Sequence, residues 1–279
     1  MALLERINQF IFLILESLCQ LAQWRIWAVL FPYYFLQWLV LYVLYIYPDG
    51  LLSGLVLRWA SLFGTDQAAA FGHYPQHFLL IGGISTWAKL LIGLVFEGLV
   101  LGSVALHFHR RFTRGQKLSA FGRSFPGKWL NLTLVWLVIN GLMLAAGQFL
   151  PGLIGPALDS PRRLLSFNYV FMPLVFTIIF SVLFLAIPSV VLFQDDALRA
   201  MGRSFKHFLR RPFTMFGLGI VILAIPILLG ALASSPTGIV NSFKPELVYW
   251  ILAGSLLAEM ISAFFWMGTA VRFLCSEDR

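Results

Sequence analysis

Charged residues are scarce in this chain of 279 residues: they make up 11% of it, and its mean hydropathy is +0.85. Soluble domains carry about 25% charged residues. A chain this apolar cannot cover its surface in water, which excludes an ordinary soluble domain and indicates that the lipid bilayer is its solvent. Its apolar runs are continuous and long rather than alternating, so the membrane spans are expected to be helices and not barrel strands.

Cysteines and catalytic motifs are also lacking. The two cysteines, Cys19 and Cys275, lie near the chain ends and fit no zinc-binding spacing. The chain has no HExxH, no GxSxG and no glycine-rich phosphate loop with a lysine. His73 and His77 have the spacing of zinc ligands on a helix, but Pro75 between them disfavours a regular helix. We therefore expect no enzyme, no catalytic residue, no bound metal and no cofactor.

Long apolar segments are what the sequence has instead. A helix needs about 20 apolar residues to cross the hydrocarbon core of a bilayer. Six segments qualify, at about 26–47, 78–106, 129–152, 168–193, 214–235 and 248–272. The sequence therefore predicts an all-α integral membrane protein with six transmembrane helices in a single polytopic domain over residues 1–279.

The basic residues are distributed unequally between the connections. Fifteen of the 20 Lys and Arg residues fall in the N-terminal stretch, in 108–128, in 194–213 and in the C-terminal tail, whereas four fall in the other connections. Because Lys and Arg accumulate in cytoplasmic loops, both termini are predicted to be cytoplasmic, in a bacterial inner membrane. These loops explain the net charge of +8 without nucleic-acid binding. The expected partners are anionic lipid headgroups, with other membrane proteins left open.

An eight-residue pattern occurs twice, eighty positions apart. It reads LSAFGRSF at 118–125 and LRAMGRSF at 198–205, each time in a basic stretch before a long apolar run. The pattern predicts tandem units of an amphipathic interfacial helix followed by a helical hairpin, over 1–107, 108–193 and 194–279. The first unit lacks the GRSF signature and is included because of its position and its amphipathic start.

The second copy predicts a helix that lies in the headgroup plane. Leu198, Met201, Phe205 and Phe208 recur at spacings of 3, 4 and 3 and form one apolar stripe. Such a helix directs its rings toward the acyl chains and its cations toward phosphate. The alternative is that Gly-Arg-Ser has only a structural role, as the turn that leads into the next span. The predicted lipid-headgroup or partner contacts are Arg123, Arg199, Arg203, Lys206, Arg210 and Arg211.

Three ionisable residues lie inside the predicted spans: Lys89 and Glu97 in the second, and Glu259 in the sixth. Each requires an explanation, because a charged side chain at the bilayer centre costs about 2.5–3.5 kcal/mol on insertion scales. The sequence leaves three explanations open. These are a structural Lys89–Glu259 salt bridge, a proton or ion relay through Glu97 and Glu259, and a water-filled cleft without transport.

Small residues predict close packing between the second and sixth spans. Gly98 and Gly102 form a GxxxG pattern on the second span. The sixth span carries small residues at the same spacing: Gly254, Ala258 and Ser262. Because backbones approach where side chains are small, we expect these two faces to meet. Asn140, in the third span, is expected to hydrogen-bond to a neighbouring helix.

The stretch IPSVVLFQDDALRAMGRSFKHFLRRPF at 187–213 resembles the membrane domain linked to glycerophosphoryl diester phosphodiesterases and related bacterial polytopic membrane proteins. In that pattern a proline-bearing span leads through an acidic turn into an Ala-Leu…Arg-Ser helix with a basic exit. The corresponding residues are Pro188, Asp195, Asp196, Ala197, Leu198, Arg203, Ser204 and Arg211. The resemblance implies a helical envelope membrane domain. The catalytic domain of some relatives has no counterpart in these residues, so its activity is not implied.

We therefore expect a non-enzymatic inner-membrane protein that acts in envelope or lipid homeostasis, or as a subunit of a membrane complex. The alternative is a small transporter or channel that uses the intramembrane residues Lys89, Glu97 and Glu259. The surroundings of these three groups distinguish the two: sealed and paired charges favour the first expectation, and a wet cavity favours the alternative.

Overall fold

The computed structural model describes residues 2–46, 73–113, 126–155, 160–233 and 236–277, together with the single positions 54, 58 and 61. Every regular element in these ranges is a helix. The chain is therefore an all-α protein, as the sequence predicts.

Within the described residues, six helices are long and apolar enough to cross a membrane, which confirms the predicted number. The first three spans are continuous helices: α2 (Trp24–Tyr45), α3 (His77–Phe112) and α4 (Trp129–Ile154). The fourth span, Arg162–Leu192, is segmented into α5 (Pro161–Ser166), a π-helical turn (Phe167–Phe171), α6 (Met172–Leu183) and α7 (Ala186–Leu192). The last two are α9 (Pro212–Ala233) and α11 (Leu247–Glu277).

Shorter helices connect or flank these spans. They are α1 (Ala2–Leu18), a 3₁₀ turn (Pro126–Lys128), α8 (Ala197–Arg210) and α10 (Pro236–Ser242). Helix α8 contains the second copy of the repeated pattern. The first copy, 118–125, lies outside the described residues, so the tandem-repeat organisation stays a prediction.

The fourth span is interrupted at Phe184 and Leu185. Pro188 explains the interruption, because proline has no N–H and leaves the carbonyl oxygen of Phe184 without its helical donor. The indole N–H of Trp266, from α11, donates to that oxygen at 2.8 Å. The N–H of Leu185 donates to the hydroxyl of Ser204, from α8, at 3.0 Å. Side chains of two other helices therefore satisfy the main chain at the break.

The chain divides into two compact units. The first unit comprises Met1–Leu30, Leu94–Ala224 and Ile261–Arg279, and the second comprises Phe31–Gly93 and Ile225–Met260. Helices α2, α3, α9 and α11 contribute residues to both units, so this division does not follow the predicted repeat boundaries. Phe108, Phe184, Phe264 and Phe273 are among the fully buried residues of the first unit. The core of the second includes Leu41, Leu44, Phe78, Ile81 and Leu256.

The two glycines of the GxxxG pattern pack against α4. A Cβ on Gly98 would lie 2.9 Å from the carbonyl oxygen of Leu132, and one on Gly102 would lie 3.0 Å from the Leu132 side chain. The expectation that they meet the small-residue face of the last span is wrong, and a Cβ on Gly254 would meet nothing within 4 Å. Close backbone approach therefore joins α3 to α4 in the first unit.

Asn140 also differs from its prediction. Its side-chain Nδ2 donates to the carbonyl oxygen of Trp136 at 3.1 Å, within α4 itself. This is the hydrogen bond found for the Asn140 side chain among the described residues, so the expected bond to a neighbouring helix is not seen in this part of the chain.

Candidate functional site

Helix α8 is held against the first unit by its small residues. Ala200 and Ser204 lie one turn apart and are fully buried. The Ser204 hydroxyl donates to the carbonyl oxygen of Val182 at 2.7 Å while it accepts from Leu185. At the start of the helix, the Asn131 side chain accepts from the N–H of Ala197 at 3.1 Å, which satisfies one of the free donors of a helix N-terminus.

The apolar stripe predicted on α8 is divided between two faces. Successive residues of an α-helix are rotated by about 100°, so the stripe spans a wide arc. Met201 and Phe208 are half-buried beside the docked face, whereas Leu198 and Phe205 are exposed. Leu209, which the stripe did not include, is 62% exposed, and Leu198 is 80% exposed. Helix α8 therefore presents an exposed apolar ridge formed by Leu198, Phe205 and Leu209.

Three predicted headgroup contacts lie beside the apolar ridge. Arg199, Lys206 and Arg210 are exposed and recur at spacings of 7 and 4, so they share one side of the helix. Within the described parts of the chain, none of the three has a hydrogen bond or ion pair from its side chain. These residues form the basic stripe of α8.

The other predicted contacts are engaged by the protein or are not described. The Nε of Arg203 lies 2.8 Å from a carboxylate oxygen of Asp195, and its guanidinium lies 3.9 Å over the Phe193 ring. Arg211 donates to the Gln9 side chain at 2.8 Å. Arg203 thus connects the middle of α8 to the turn that precedes it, and Arg211 connects its C-terminal end to α1. Arg123 lies outside the described residues, so its role stays a prediction.

Helix α1 is docked in the same manner as α8. Leu13 and Ser17 are fully buried, whereas Ile11 and Leu18 are exposed. A Cβ on Gly268 of α11 would lie 3.0 Å from the Ser17 hydroxyl, so the two backbones approach closely. Each of the two short amphipathic helices therefore buries a serine on its docked face and leaves apolar residues uncovered on another face.

An ion pair that the sequence analysis did not foresee links α1 to α11. Glu16 pairs with Arg272. The guanidinium lies 5.2 Å from the ring centre of Phe12 and 5.4 Å from that of Phe112, within the range of cation–π attraction. In the sequence, Arg272 is only one of the basic residues assigned to the C-terminal tail. No sequence pattern links it to Glu16, which lies near the other end of the chain.

In the second unit, Lys89 and Glu259 form the predicted ion pair. The Lys89 Nζ donates to Glu259 Oε1 at 2.6 Å, and the Ser255 hydroxyl donates to the same oxygen at 3.1 Å. The pair is not sealed, because the two charged side chains are 32% and 30% exposed. Glu97, the third member of the predicted polar cluster, belongs to the first unit and is not part of this pair.

A small cavity of about 30 Å³ adjoins the ion pair. Its polar lining comes from three helices: Gln37 of α2, Ser85, Thr86 and Lys89 of α3, and Ser255 of α11. Gln37 is 4% exposed, and its Oε1 accepts no hydrogen bond from the described residues. Gln37 is not ionisable, so the charges inside the predicted spans did not point to it, although a glutamine in an apolar span was the available signal.

The segment that contains His73 and His77 forms a different polar contact. The Tyr74 hydroxyl donates to Glu246 Oε1 at 3.2 Å. Desolvation and, after it, the Glu246 carboxylate raise the pKa of Tyr74 above its usual value. His77 is buried and His73 is exposed. In the described ranges, no group of three or more His, Cys, Asp or Glu side chains could hold a metal ion.

Comparison with known proteins adds no relative. No protein-family model, curated protein or solved structure matches the chain. The helices alone therefore define its class, which is that of multi-pass α-helical membrane proteins. The resemblance of 187–213 to the phosphodiesterase-linked membrane domain stays a prediction.

Proposed function

We propose that this chain is a non-enzymatic protein of the bacterial inner membrane, with both termini in the cytoplasm, that binds anionic lipid headgroups through α8. One observation carries the proposal: α8 has three distinct faces. One face is docked through Ala200 and Ser204, one is the exposed apolar ridge, and one is the exposed basic stripe.

The three faces suit a helix at the boundary between headgroups and acyl chains. Exposed leucine and phenylalanine side chains are stabilised by burial among acyl chains, and cations beside them reach phosphate. Each Lys or Arg near an anionic membrane surface contributes about 1 kcal/mol of attraction. Because α8 is already docked, binding does not require the helix to be ordered first.

The basic stripe therefore supports a role in envelope or lipid homeostasis, or as a lipid-contacting subunit of a membrane complex. By the same reasoning, the first copy of the repeated pattern is proposed to contact headgroups through Arg123. Its GRSF sequence and its position before a span match those of the second copy.

The experiment removes the basic stripe. In the full-length protein, Arg199, Lys206 and Arg210 are replaced together by glutamine, and lipids retained after purification are compared by native mass spectrometry. The wild type is expected to retain phosphatidylglycerol in preference to phosphatidylcholine, and the triple variant is expected to lose most of this preference. The unfolding midpoint should not change, because these side chains have no partner in the described protein.

The matched control removes three cations from connections predicted to lie on the other side of the membrane: Arg162, Arg163 and Lys244. It lowers the net charge equally and is expected to keep the wild-type lipid preference. An equal loss of preference in both variants, or no loss in the basic-stripe variant, would contradict headgroup binding by α8.

A small transporter or channel is the second candidate function. The partial exposure of the Lys89–Glu259 pair and the small cavity beside it, which has some polar lining residues, favour this candidate. It predicts an ion or proton flux in proteoliposomes that exceeds that of protein-free liposomes and is lost in Glu259→Gln. Equal flux in the two kinds of liposome would exclude it.

A further inference from the structure

The last turns of α3 and α11 bring a thiol beside an imidazole in the first unit. Cys275 Sγ lies 3.6 Å from His109 Nδ1, across 166 positions of sequence. Helix α3 continues to Phe112, beyond the predicted end of its span, and this continuation places His109 beside the end of α11. The two residues therefore form a contact that no sequence pattern indicates.

The contact joins a nucleophile to a base. The thiolate and not the thiol is the reactive form of cysteine, and an adjacent imidazole can accept the thiol proton. His109 lies in the last turn of α3, where the helix dipole stabilises an imidazolium cation. Cys275 lies in the last turn of α11, whose dipole opposes a thiolate, and Arg272 one turn earlier is already paired with Glu16. His109 is therefore the group that activates the thiol.

The thiol is also within reach of reagents. Cys275 and His109 are half-buried rather than enclosed, and Arg110 and Arg111, which follow His109, are exposed. These cations attract anionic reagents to this end of α3. Reactive cysteines occupy such partly exposed, electropositive surroundings. Cys19, the other thiol, is exposed, and its side chain has no hydrogen bond within the part of the chain that the structure describes.

We propose that Cys275 is a thiol-modification site, which forms mixed disulfides with anionic low-molecular-weight disulfides and has His109 as its base. The thiol proton passes to His109 Nδ1, and the Cys275 thiolate attacks one sulfur of the reagent. The S–S bond of the reagent breaks, and the released thiolate takes the proton from the imidazolium and leaves as a thiol. Cys275 is thereby oxidised, and half of the reagent disulfide is reduced.

The proposal goes beyond headgroup binding and does not depend on it. The class of reagent rests on the proposed cytoplasmic position of the C-terminus, which would expose Cys275 to the thiols and disulfides of that compartment. The reactivity of the thiol rests only on its contact with His109, so it can be measured in the purified protein whatever the topology.

The test compares the two thiols of the full-length protein in lipid nanodiscs. Cys275 is followed in Cys19→Ser, and Cys19 is followed in Cys275→Ser. Each protein is incubated with oxidised glutathione at neutral pH, and the mixed disulfide is measured by intact-mass spectrometry. We expect Cys275 to react several-fold faster than Cys19, although it is the less exposed thiol. A Cys19 rate that equals or exceeds the Cys275 rate would overturn the proposal.

Two histidine variants connect the reactivity to the base. In the Cys19→Ser protein, His109→Gln removes the proton acceptor and is expected to slow the reaction of Cys275 several-fold. His107→Gln, on the same helix, is the matched control and should react at the unchanged rate, because His107 Nδ1 lies 2.8 Å from the carbonyl oxygen of Ser103 within α3 itself. An unchanged rate in His109→Gln, or an equal slowing in His107→Gln, would contradict the role of His109. The comparison of the two thiols needs no change at His109, so it decides the proposal even where that variant is unstable.

Discussion

The two ion pairs of α11 differ in how far the protein encloses them. In the first unit, Arg272 pairs with Glu16 and lies within cation–π range of two phenylalanine rings; the two side chains are 16% and 31% exposed. In the second unit, Lys89 and Glu259 are 32% and 30% exposed and lie beside a small cavity. The two carboxylates are equally exposed, so the pairs differ at the cation, and we call the Arg272 pair the enclosed pair and the Lys89 pair the open pair.

The difference follows from the chemistry of the two cations. A guanidinium group is planar and weakly hydrated, so it packs between aromatic rings without water. An ammonium group is compact and strongly hydrated, so it is stabilised where water reaches it. The comparison assigns a structural role to the enclosed pair, whereas the ammonium of the open pair remains accessible from outside the protein.

Arg272→Met should cause the largest loss of stability, because it leaves the partly buried Glu16 carboxylate without its counter-charge and removes the contacts of the guanidinium with two phenylalanine rings. Breaking a buried pair costs about 3–5 kcal/mol, and the partial exposure of Glu16 reduces the expected loss to on the order of 2 kcal/mol. The measurement is the free energy of unfolding of the full chain in mixed detergent micelles. A double-mutant cycle with Glu16→Gln should show coupling, and strict additivity of the two losses would contradict an enclosed pair.

Ser204→Ala extends the comparison to an enclosed neutral contact. It removes the hydroxyl that bridges Val182 and Leu185, and it leaves the Leu185 N–H buried without a partner. The expected loss is about 1–2 kcal/mol. Ser189, equally buried but with no partner for its hydroxyl in the described protein, is the matched control. Should Ser189→Ala cost as much as Ser204→Ala, the bridge would have no special role.

Lys89→Met should cause the smallest loss, below about 1 kcal/mol, because the Glu259 carboxylate is 30% exposed and keeps the Ser255 hydroxyl as a donor. The same unfolding measurement checks it beside Arg272→Met. An equal loss of stability in Lys89→Met and Arg272→Met would show that the protein encloses the two ion pairs to the same extent, which contradicts the distinction between them.

Much of the architecture could be predicted from composition and run length. The six spans follow from apolar runs of about 20 residues, and α3 differs mainly in extending to Phe112, because no helix-breaking residue stops it at the predicted end. The Lys89–Glu259 pair was one of three explanations that the sequence left open for the charges inside the spans. The break in the fourth span is consistent with Pro188, which lacks the N–H that a continuous helix requires.

The sequence could not show which face of α8 contacts the protein. An apolar stripe marks residues that avoid water, and lipid satisfies them as well as a protein core does. The docked face consists of Ala200 and Ser204. These residues are small or polar, so they do not appear in a pattern of large apolar side chains. The predicted partner of Gly98 was also wrong. A small residue indicates that another backbone approaches closely, but it does not indicate which helix that backbone belongs to.

The interruption of the fourth span has a mechanical consequence. At the break, a main-chain N–H that a continuous helix would satisfy internally is held by the Ser204 hydroxyl of α8. A displacement of α8 would therefore strain a main-chain hydrogen bond inside the fourth span, so the position of the surface helix and the shape of that span depend on each other.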